Sequence, residues 1–251
     1  HIPEYGEITS DRVLSALAAI LGINHEPREG EYGTSLSGAE SELLISRGLT
    51  WCAGCPHRAS FWALEKAVKA DGRQGYVTGD IGCYTLDVFP EGKGQMNLLH
   101  AMGSGTGLAA GFGQLEKFGY TQPVIGVCGD STFFHSSIPA LINAVYNGAS
   151  MTQIVLDNSA TAMTGFQSHP GTGFNAVGET AAKIDLEAFC RSLGCEVMVC
   201  DPFDVKGTIK AIRGLLNREK GVRVLILRRP CEIVRMKAEK LKPFDVRIME
   251  G

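Results

Sequence analysis

The chain has 251 residues, 44% of them hydrophobic, enough to bury one substantial α/β core without a second. Its 24 basic and 27 acidic residues give a net charge of -3. That balance provides no basic surface for a long nucleic acid or an anionic membrane, so small molecules and proteins are the expected partners. No apolar run is long enough to span a bilayer, and His1-Ile2-Pro3-Glu4-Tyr5 lacks the basic and apolar regions of a signal peptide. The sequence therefore reads as soluble and cytoplasmic. The missing initiator Met, and an end at Met249-Glu250-Gly251 just past a candidate strand, read as a chain cut from something longer. With no export signal, the eight cysteines read as reduced thiols, some of them ligands.

Ser10 reads as the N-cap of a helix over 11–21, with Val13, Leu14, Leu17 and Ile20 at helical spacing and Gly22 as its stop. Residues 24–48 show little periodicity, so 1–48 read as an N-terminal helix and linker arm. A compact domain is expected over 49–231, and a basic tail carrying Arg235, Lys237, Lys240 and Lys242 over 232–251. Within the domain the spacing predicts helices over 57–70, 103–118, 138–147, 186–193 and 204–218. They alternate with strands over 75–79, 123–128, 152–157, 195–200 and 222–228. Apolar strands in alternation with amphipathic helices give a mostly parallel sheet with helices on both faces. Ligands of such sheets sit at the carboxyl ends of strands, here after Gly79, Cys128 and Leu156.

Two of those ends carry hard oxygen ligands. Strand 123–128 runs into Gly129-Asp130-Ser131-Thr132 and strand 152–157 into Asp157-Asn158-Ser159-Ala160. A carboxylate from Asp130 and an amide oxygen from Asn158, brought into one crevice, suit Mg²⁺ shared with phosphate oxygens. Gly129 permits close backbone approach, and Ser131 and Thr132 supply donors. Each motif alone is also an ordinary turn sequence. Cys52 and Cys55 precede Pro56 at a helix start, where thiolates are stabilised. Cys83 and Cys231 follow strands, so all four can converge. Spacing leaves zinc, a [4Fe–4S] cluster and a redox disulfide open. Cys128, Cys190, Cys195 and Cys200 read as small buried residues, with Cys195 and Cys200 the rivals to Cys231 as fourth ligand. His57 and His100 are possible contacts to a diphosphate or a substrate carboxylate, and Gln167 and His169 candidates for a pocket wall or lid. A lone histidine is more often a structural residue, and a loop as long as that of Gln167 and His169 can serve simply as a subunit contact.

The strings Cys52-Ala53-Gly54-Cys55-Pro56-His57-Arg58, Gly79-Asp80-Ile81-Gly82-Cys83-Tyr84, Ala101-Met102-Gly103-Ser104, Gly129-Asp130-Ser131, Phe133-Phe134-His135, Leu156-Asp157-Asn158 and Thr161-Ala162-Met163-Thr164-Gly165-Phe166-Gln167 stand in order. Together they resemble the alpha subunit of indolepyruvate ferredoxin oxidoreductases, of the 2-oxoacid:ferredoxin oxidoreductase superfamily, over residues 49–231. Ser131 and Asp157 depart from the general thiamine diphosphate signature in the way the ferredoxin-linked members do.

The resemblance implies a thiamine diphosphate-binding domain with Mg²⁺ on Asp130, Asn158 and the Ala160 carbonyl. Gly103, Thr106, Thr164 and Gly165 would add cofactor contacts, and Cys52, Cys55, Cys83 and Cys231 would hold a [4Fe–4S] cluster. A bulky apolar residue is implied near Thr106, and this sequence lacks it. The implied reaction is oxidative decarboxylation of a 2-oxoacid, an aryl pyruvate, with electrons passing to ferredoxin and coenzyme A taking the acyl group. The activating Glu would come from a pyrimidine-binding domain or subunit in a hetero-oligomer, so apolar surface is expected beside the strand ends and not on the opposite face. A non-redox decarboxylase subunit and a non-catalytic electron-transfer subunit are the rival readings.

Overall fold

The structure, a computed structural model, describes residues 8–26, 43, 45, 48–218 and 220–240. Most of the arm over 24–48 and the end of the tail lie outside the described residues. The chain divides into two compact units, His1–Arg47 and Gly48–Gly251. The first contains α1 (Ser10–Leu21), which begins one residue earlier than the sequence predicts. Thr9, not Ser10, is its N-cap: Thr9 is extended and its hydroxyl accepts from the Arg12 amide.

The second unit is built on six strands: β1 (Tyr76–Gly79), β2 (Leu98–Leu99), β3 (Val124–Gly129), β4 (Met151–Asp157), β5 (Glu196–Cys200) and β6 (Val222–Arg228). Among the described residues they form one sheet, all parallel, in the order β2-β1-β3-β4-β6-β5. Parallel neighbours need crossovers, and here most crossovers carry helices. The helices are α2 (Pro56–Asp71), α3 (Ser104–Phe112), α4 (Asp130–Thr132), α5 (Ile138–Tyr146), α6 (Leu186–Ser192), α7 (Val205–Leu216) and α8 (Glu232–Ala238).

Side chains alternate along the strands and split the interior in two. Ile125, Val127, Ile154, Leu156, Leu225 and Leu227 pack with Phe61 and Leu64 of α2 and Ile212 and Leu215 of α7. Val124, Cys128, Val155, Val224 and Ile226 pack with Ala109 of α3, Leu141 of α5 and Cys190 of α6. Both faces are therefore covered, as an all-parallel sheet requires.

Strand β2 was not expected from the sequence, and three expected elements differ from their reading. The helix predicted over 103–118 is α3 followed by a separate 3₁₀ turn at Leu115–Phe118. Gly113 lies at this break, and a Cβ there would stand 2.9 Å from the Ser150 carbonyl oxygen. The helix predicted from 138 starts at Asp130 instead, because α4 passes through one π-helical turn, Phe133–Ser137, directly into α5. The segment read as a tail from 232 opens with α8, in which Arg235 pairs with Glu232 and Glu239. Among the described residues no helix is long and apolar enough to cross a membrane.

The glycines of α3 are not equivalent. A Cβ on Gly105 would meet the Val127 carbonyl oxygen at 2.9 Å and the Gly79 carbonyl carbon at 3.0 Å, whereas one on Gly107 meets nothing within 4 Å. Gly105→Ala should therefore destabilise by about 1–3 kcal/mol through overpacking. Gly107→Ala should be neutral or stabilise by up to about 1 kcal/mol through helix propensity. Urea unfolding of the two variants reads the difference, and equal midpoints would contradict the packing argument.

Candidate functional site

The parallel register sets the geometry of the site. Gly129 of β3 pairs with Leu156 of β4, and Leu156 with Leu227 of β6, so these three strands end level. Asp130 follows β3 at once and is 2% exposed. Its Oδ1 accepts from the Ser131 amide at 2.8 Å and its Oδ2 from the Ser159 amide at 2.6 Å. Ser159 aims that amide from a left-handed backbone at φ 60, uncommon for a residue with a side chain. His169 Nε2 lies 3.1 Å from Asp130 Oδ2. Burial raises the Asp130 pKa and His169 opposes the rise.

Asn158 is also buried. Its Oδ1 accepts from the Ala160 amide at 3.2 Å, and its Nδ2 lies 3.5 Å from His57 Nε2. Desolvation lowers the His57 pKa to about 4, so the ring is neutral at physiological pH and can accept from Asn158. The donor set is oxygen-rich, and no Lys or Arg among the described residues forms an ion pair with Asp130. Its facing partner is a histidine and not a fixed cation, and Oδ1, with a single donor, keeps a further lone pair. These residues fit a hard divalent ion.

Gly129, Asp130, Ser131, Thr132, Asn158, Ala160 and Thr164 line one cavity of about 280 Å³. The structure does not bring Gly103, Thr106, Gly165 or His100 to its wall. Thr106 is fully buried inside α3, and Gly103 abuts Ser136, whose Oγ would lie 1.7 Å from an added Cβ. Gly165 lies one residue beyond the wall residue Thr164, and His100 is exposed. Gln167 bridges back to Thr161 and Thr164, while His169 is buried against Asp130 and stacks on Phe134 at 5.6 Å.

Among the wall residues that the sequence reading did not single out, two bear most on the chemistry. Met102 places a long apolar side chain at the cavity ahead of Thr106, and Tyr84 places a phenol there. The signal for Tyr84 was present: Gly79-Asp80 at the end of β1 repeats the Gly129-Asp130 pair at the end of the adjacent strand.

The four cysteines of the second constellation converge. Cys52, Cys55, Cys83 and Cys231 line a neighbouring cavity of about 220 Å³. His57, Cys83 and Asn158 belong to the walls of both cavities. The loops are tied in place: the Trp51 indole donates to the Cys83 carbonyl at 2.9 Å, and the Cys231 amide donates to the Asn158 carbonyl at 2.9 Å. Cys195 is buried in the core, and neither it nor Cys200 reaches the cavity. The helix start at Cys55 does not yield a ready thiolate. Burial, with repulsion from neighbouring cysteines, outweighs the amides of His57 and Arg58 and pushes Cys55 up to about 11. Burial likewise pushes Cys83 up to about 11. Among the described residues no three His, Cys, Asp or Glu side chains stand close enough to hold a single metal ion.

Exposed apolar side chains are not confined to this face. Met102 and Met163 lie at the strand ends, but Phe118 and Tyr146, 84% and 86% exposed, end the elements that lead into β3 and β4 and so lie at the amino ends of the strands.

The chain matches the family described as thiamine pyrophosphate enzyme, C-terminal TPP binding domain, over residues 80–226. It is 38% identical over 245 residues to the indolepyruvate oxidoreductase subunit IorA of Archaeoglobus fulgidus, covering 96% of this chain and 37% of that protein. It is 38% identical over 250 residues to the subunit of the same name from Pyrococcus abyssi, covering 94% and 37%. The chain thus spans little more than a third of these relatives. Among solved structures it is similar to the 2-oxoglutarate:ferredoxin oxidoreductase from Magnetococcus marinus, with TM-score 0.61, 18% identity, and coverage of 76% of this chain and 67% of that one. That likeness is one of fold.

The thiols should report the burial directly. Cys52 is exposed, whereas Cys55 and Cys83 are half-buried and hold their protons to high pH. In the metal-free chain at about pH 8, iodoacetamide should alkylate Cys52 first, with Cys55 and Cys83 reacting about tenfold faster for each pH unit above that. Peptide mass mapping reads the order, and equal rates for Cys52 and Cys55 at pH 8 would refute it.

Proposed function

The chain belongs to the thiamine pyrophosphate enzyme family, in its C-terminal TPP-binding domain, and from that premise we propose that it supplies the diphosphate-binding half of a 2-oxoacid:ferredoxin oxidoreductase. One observation carries the reading. Asp130 and Asn158 wall one cavity, and that cavity shares His57, Cys83 and Asn158 with a second cavity lined by four cysteines. A carbon-bond-breaking cofactor and an electron relay would then stand side by side.

Asp130, the Asn158 side chain and the Ala160 carbonyl would hold Mg²⁺, and Gly129, Ser131 and Thr132 would flank the diphosphate, at the start of the helical run from Asp130. In the tautomer with its proton on Nδ1, neutral His57 would accept from Asn158 Nδ2 and so leave Asn158 Oδ1 for the ion. Thr161 donates to Ser131 Oγ at 2.8 Å and fixes that side chain at the wall. Bound there, thiamine diphosphate supplies the electron sink for oxidative decarboxylation of a 2-oxoacid. Cys52, Cys55, Cys83 and Cys231 would hold a [4Fe–4S] cluster. The four cysteines line one cavity, and a [4Fe–4S] cluster takes one sulfur per iron.

The relatives' name, indolepyruvate oxidoreductase, favours an aryl pyruvate as substrate. Ferredoxin is the proposed acceptor and coenzyme A the acyl acceptor. A pyrimidine-binding domain or subunit would complete the site in a hetero-oligomer. All eight cysteines are free, which suits the reducing cytoplasm.

Asp130→Ala is expected to abolish retention of thiamine diphosphate and Mg²⁺ while leaving the far-ultraviolet circular dichroism unchanged. Unaltered cofactor content in that variant would remove the central claim.

In anaerobically purified protein, Ala at any of Cys52, Cys55, Cys83 or Cys231 should lose cluster iron, and Cys128→Ala should keep it. Stoichiometric zinc without acid-labile sulfide would defeat the cluster assignment, and iron lost from Cys195→Ala but kept in Cys231→Ala would reassign the fourth ligand.

A further inference from the structure

A second buried carboxylate lies beside this site, and the function proposed above gives it no role. Asp80 follows β1, the strand paired with β3, and is fully buried. One oxygen takes a short hydrogen bond from the Tyr84 phenol, and the other accepts from the Gly105 amide at 3.3 Å. The phenol oxygen also lies 3.2 Å from Thr132 Oγ1 and 3.1 Å from the Ile81 carbonyl oxygen. Gly82 and Gly129 make room for the ring: an added Cβ would lie 2.3 Å and 3.0 Å, respectively, from Tyr84 Cε1. A hydrogen-bonded path thus runs from Asp80 through Tyr84 to Thr132 at the cavity wall.

A phenol has one hydrogen to give. While Asp80 is ionised it takes that hydrogen, and Thr132 can engage Tyr84 only by donating to it, which turns the threonine hydrogen away from the cavity. A protonated Asp80 donates to the phenol oxygen instead. The phenol hydrogen then passes to Thr132 or to the Ile81 carbonyl, and the threonine hydrogen is free for an anion in the cavity.

We propose that Asp80 takes up a proton when the diphosphate of the cofactor binds, and that Tyr84 and Thr132 relay that proton's hydrogen-bond polarity to the diphosphate. The proposal rests on the thiamine diphosphate reading above, and Asp80 acts in it as a positioning residue.

The groups facing Asp80 set the pH range. Tyr84 lies on its own loop, and the Gly103 and Gly105 amides at the start of α3 favour the anion. Cys128 of β3 lies within electrostatic reach of both Asp80 and Asp130, and His57 meets the Tyr84 ring edge-on at 6.3 Å. Burial outweighs the amides and the phenol and holds Asp80 at about 6 in the free protein. The carboxylate is therefore largely ionised at pH 7 before binding, and a raised value on binding draws in a proton. Affinity is then highest below about pH 6 and falls as pH rises through the free and then the bound value.

Calorimetric titration of this chain with thiamine diphosphate in MgCl₂, at pH 7 in buffers of different ionisation enthalpy, measures the protons taken up. Wild type should take up more protons per cofactor than Asp80→Asn, which mimics the neutral acid and should bind with a flatter pH profile between 6 and 8. Thr132→Val should weaken binding about tenfold or more, the loss of one hydrogen bond to a charged acceptor, and should lower the uptake towards that of Asp80→Asn. If Asp80→Asn does not fold, Tyr84→Phe serves instead, and the same tenfold weakening is expected of it. Binding with the same net proton change in wild type and Asp80→Asn would overturn the relay and leave the proposed function standing. No binding by the wild type would overturn both.

Discussion

The shared register of β3, β4 and β6 is the constraint on which the rest of the site depends. Their parallel ladder brings Gly129, Leu156 and Leu227 level, and two backbone bonds carry the alignment past the sheet: Arg229 to the Asp157 carbonyl and Cys231 to the Asn158 carbonyl, both at 2.9 Å. Asn158 is thereby held between Asp130 on one side and Cys231 on the other. A slip of one residue in β4 would exchange its core-facing side chains, Ile154 and Leu156, with Val155 on the other face. Two separate cores, each filled by alternate residues of the same strands, make that slip costly. The precision of the polar end therefore comes from apolar packing behind it.

Five buried or half-buried ionisable groups around the two cavities share one electrostatic tendency. Asp80 and Asp130 are pushed up, His57 is pushed down, and Cys55 and Cys83 are pushed up, in each case with desolvation as the leading cause. Every one is biased to its neutral form, as expected where low polarity penalises charge without a compensating partner. Such a site is poorly matched to itself and well matched to a cation, which would favour the ionised carboxylate and thiolate forms. In the proposed assembly, Mg²⁺ and the cluster occupy those two positions. Binding there should release protons from the ligands while Asp80 moves in the opposite direction.

Much of this was legible in the sequence, for identifiable reasons. Long apolar strands such as Val222–Arg228 and helices with clean stops such as Gly72 carry their own periodicity and boundary signals. Asp130, Asn158 and the four cysteines lie directly at strand and helix ends, so their convergence followed once the strands were placed side by side. The two-residue strand β2 has no periodicity to read, and the glycines of α3 hide where that helix stops. Thr106 was misplaced because spacing does not show which face of the helix expected over 103–118 meets the cofactor, and the structure turns this residue into the core. Asp80 and Tyr84 stood in a recognised string, but a hydrogen bond between buried side chains leaves no trace in spacing.

The single π-helical turn at Phe133–Ser137 bears on how this chain should be compared with its relatives. Such a turn is what an α-helix becomes when it accommodates one inserted residue. It lies between Asp130, fixed by the sheet, and Leu141, fixed by the core. A homologue lacking one residue in this interval would run as uninterrupted α-helix, and an ungapped alignment would then misassign every position on one side of it by roughly a quarter turn. The gap belongs inside the turn, where the extra residue is absorbed, and not in the Gly-Asp-Ser-Thr signature or in the buried helix that follows.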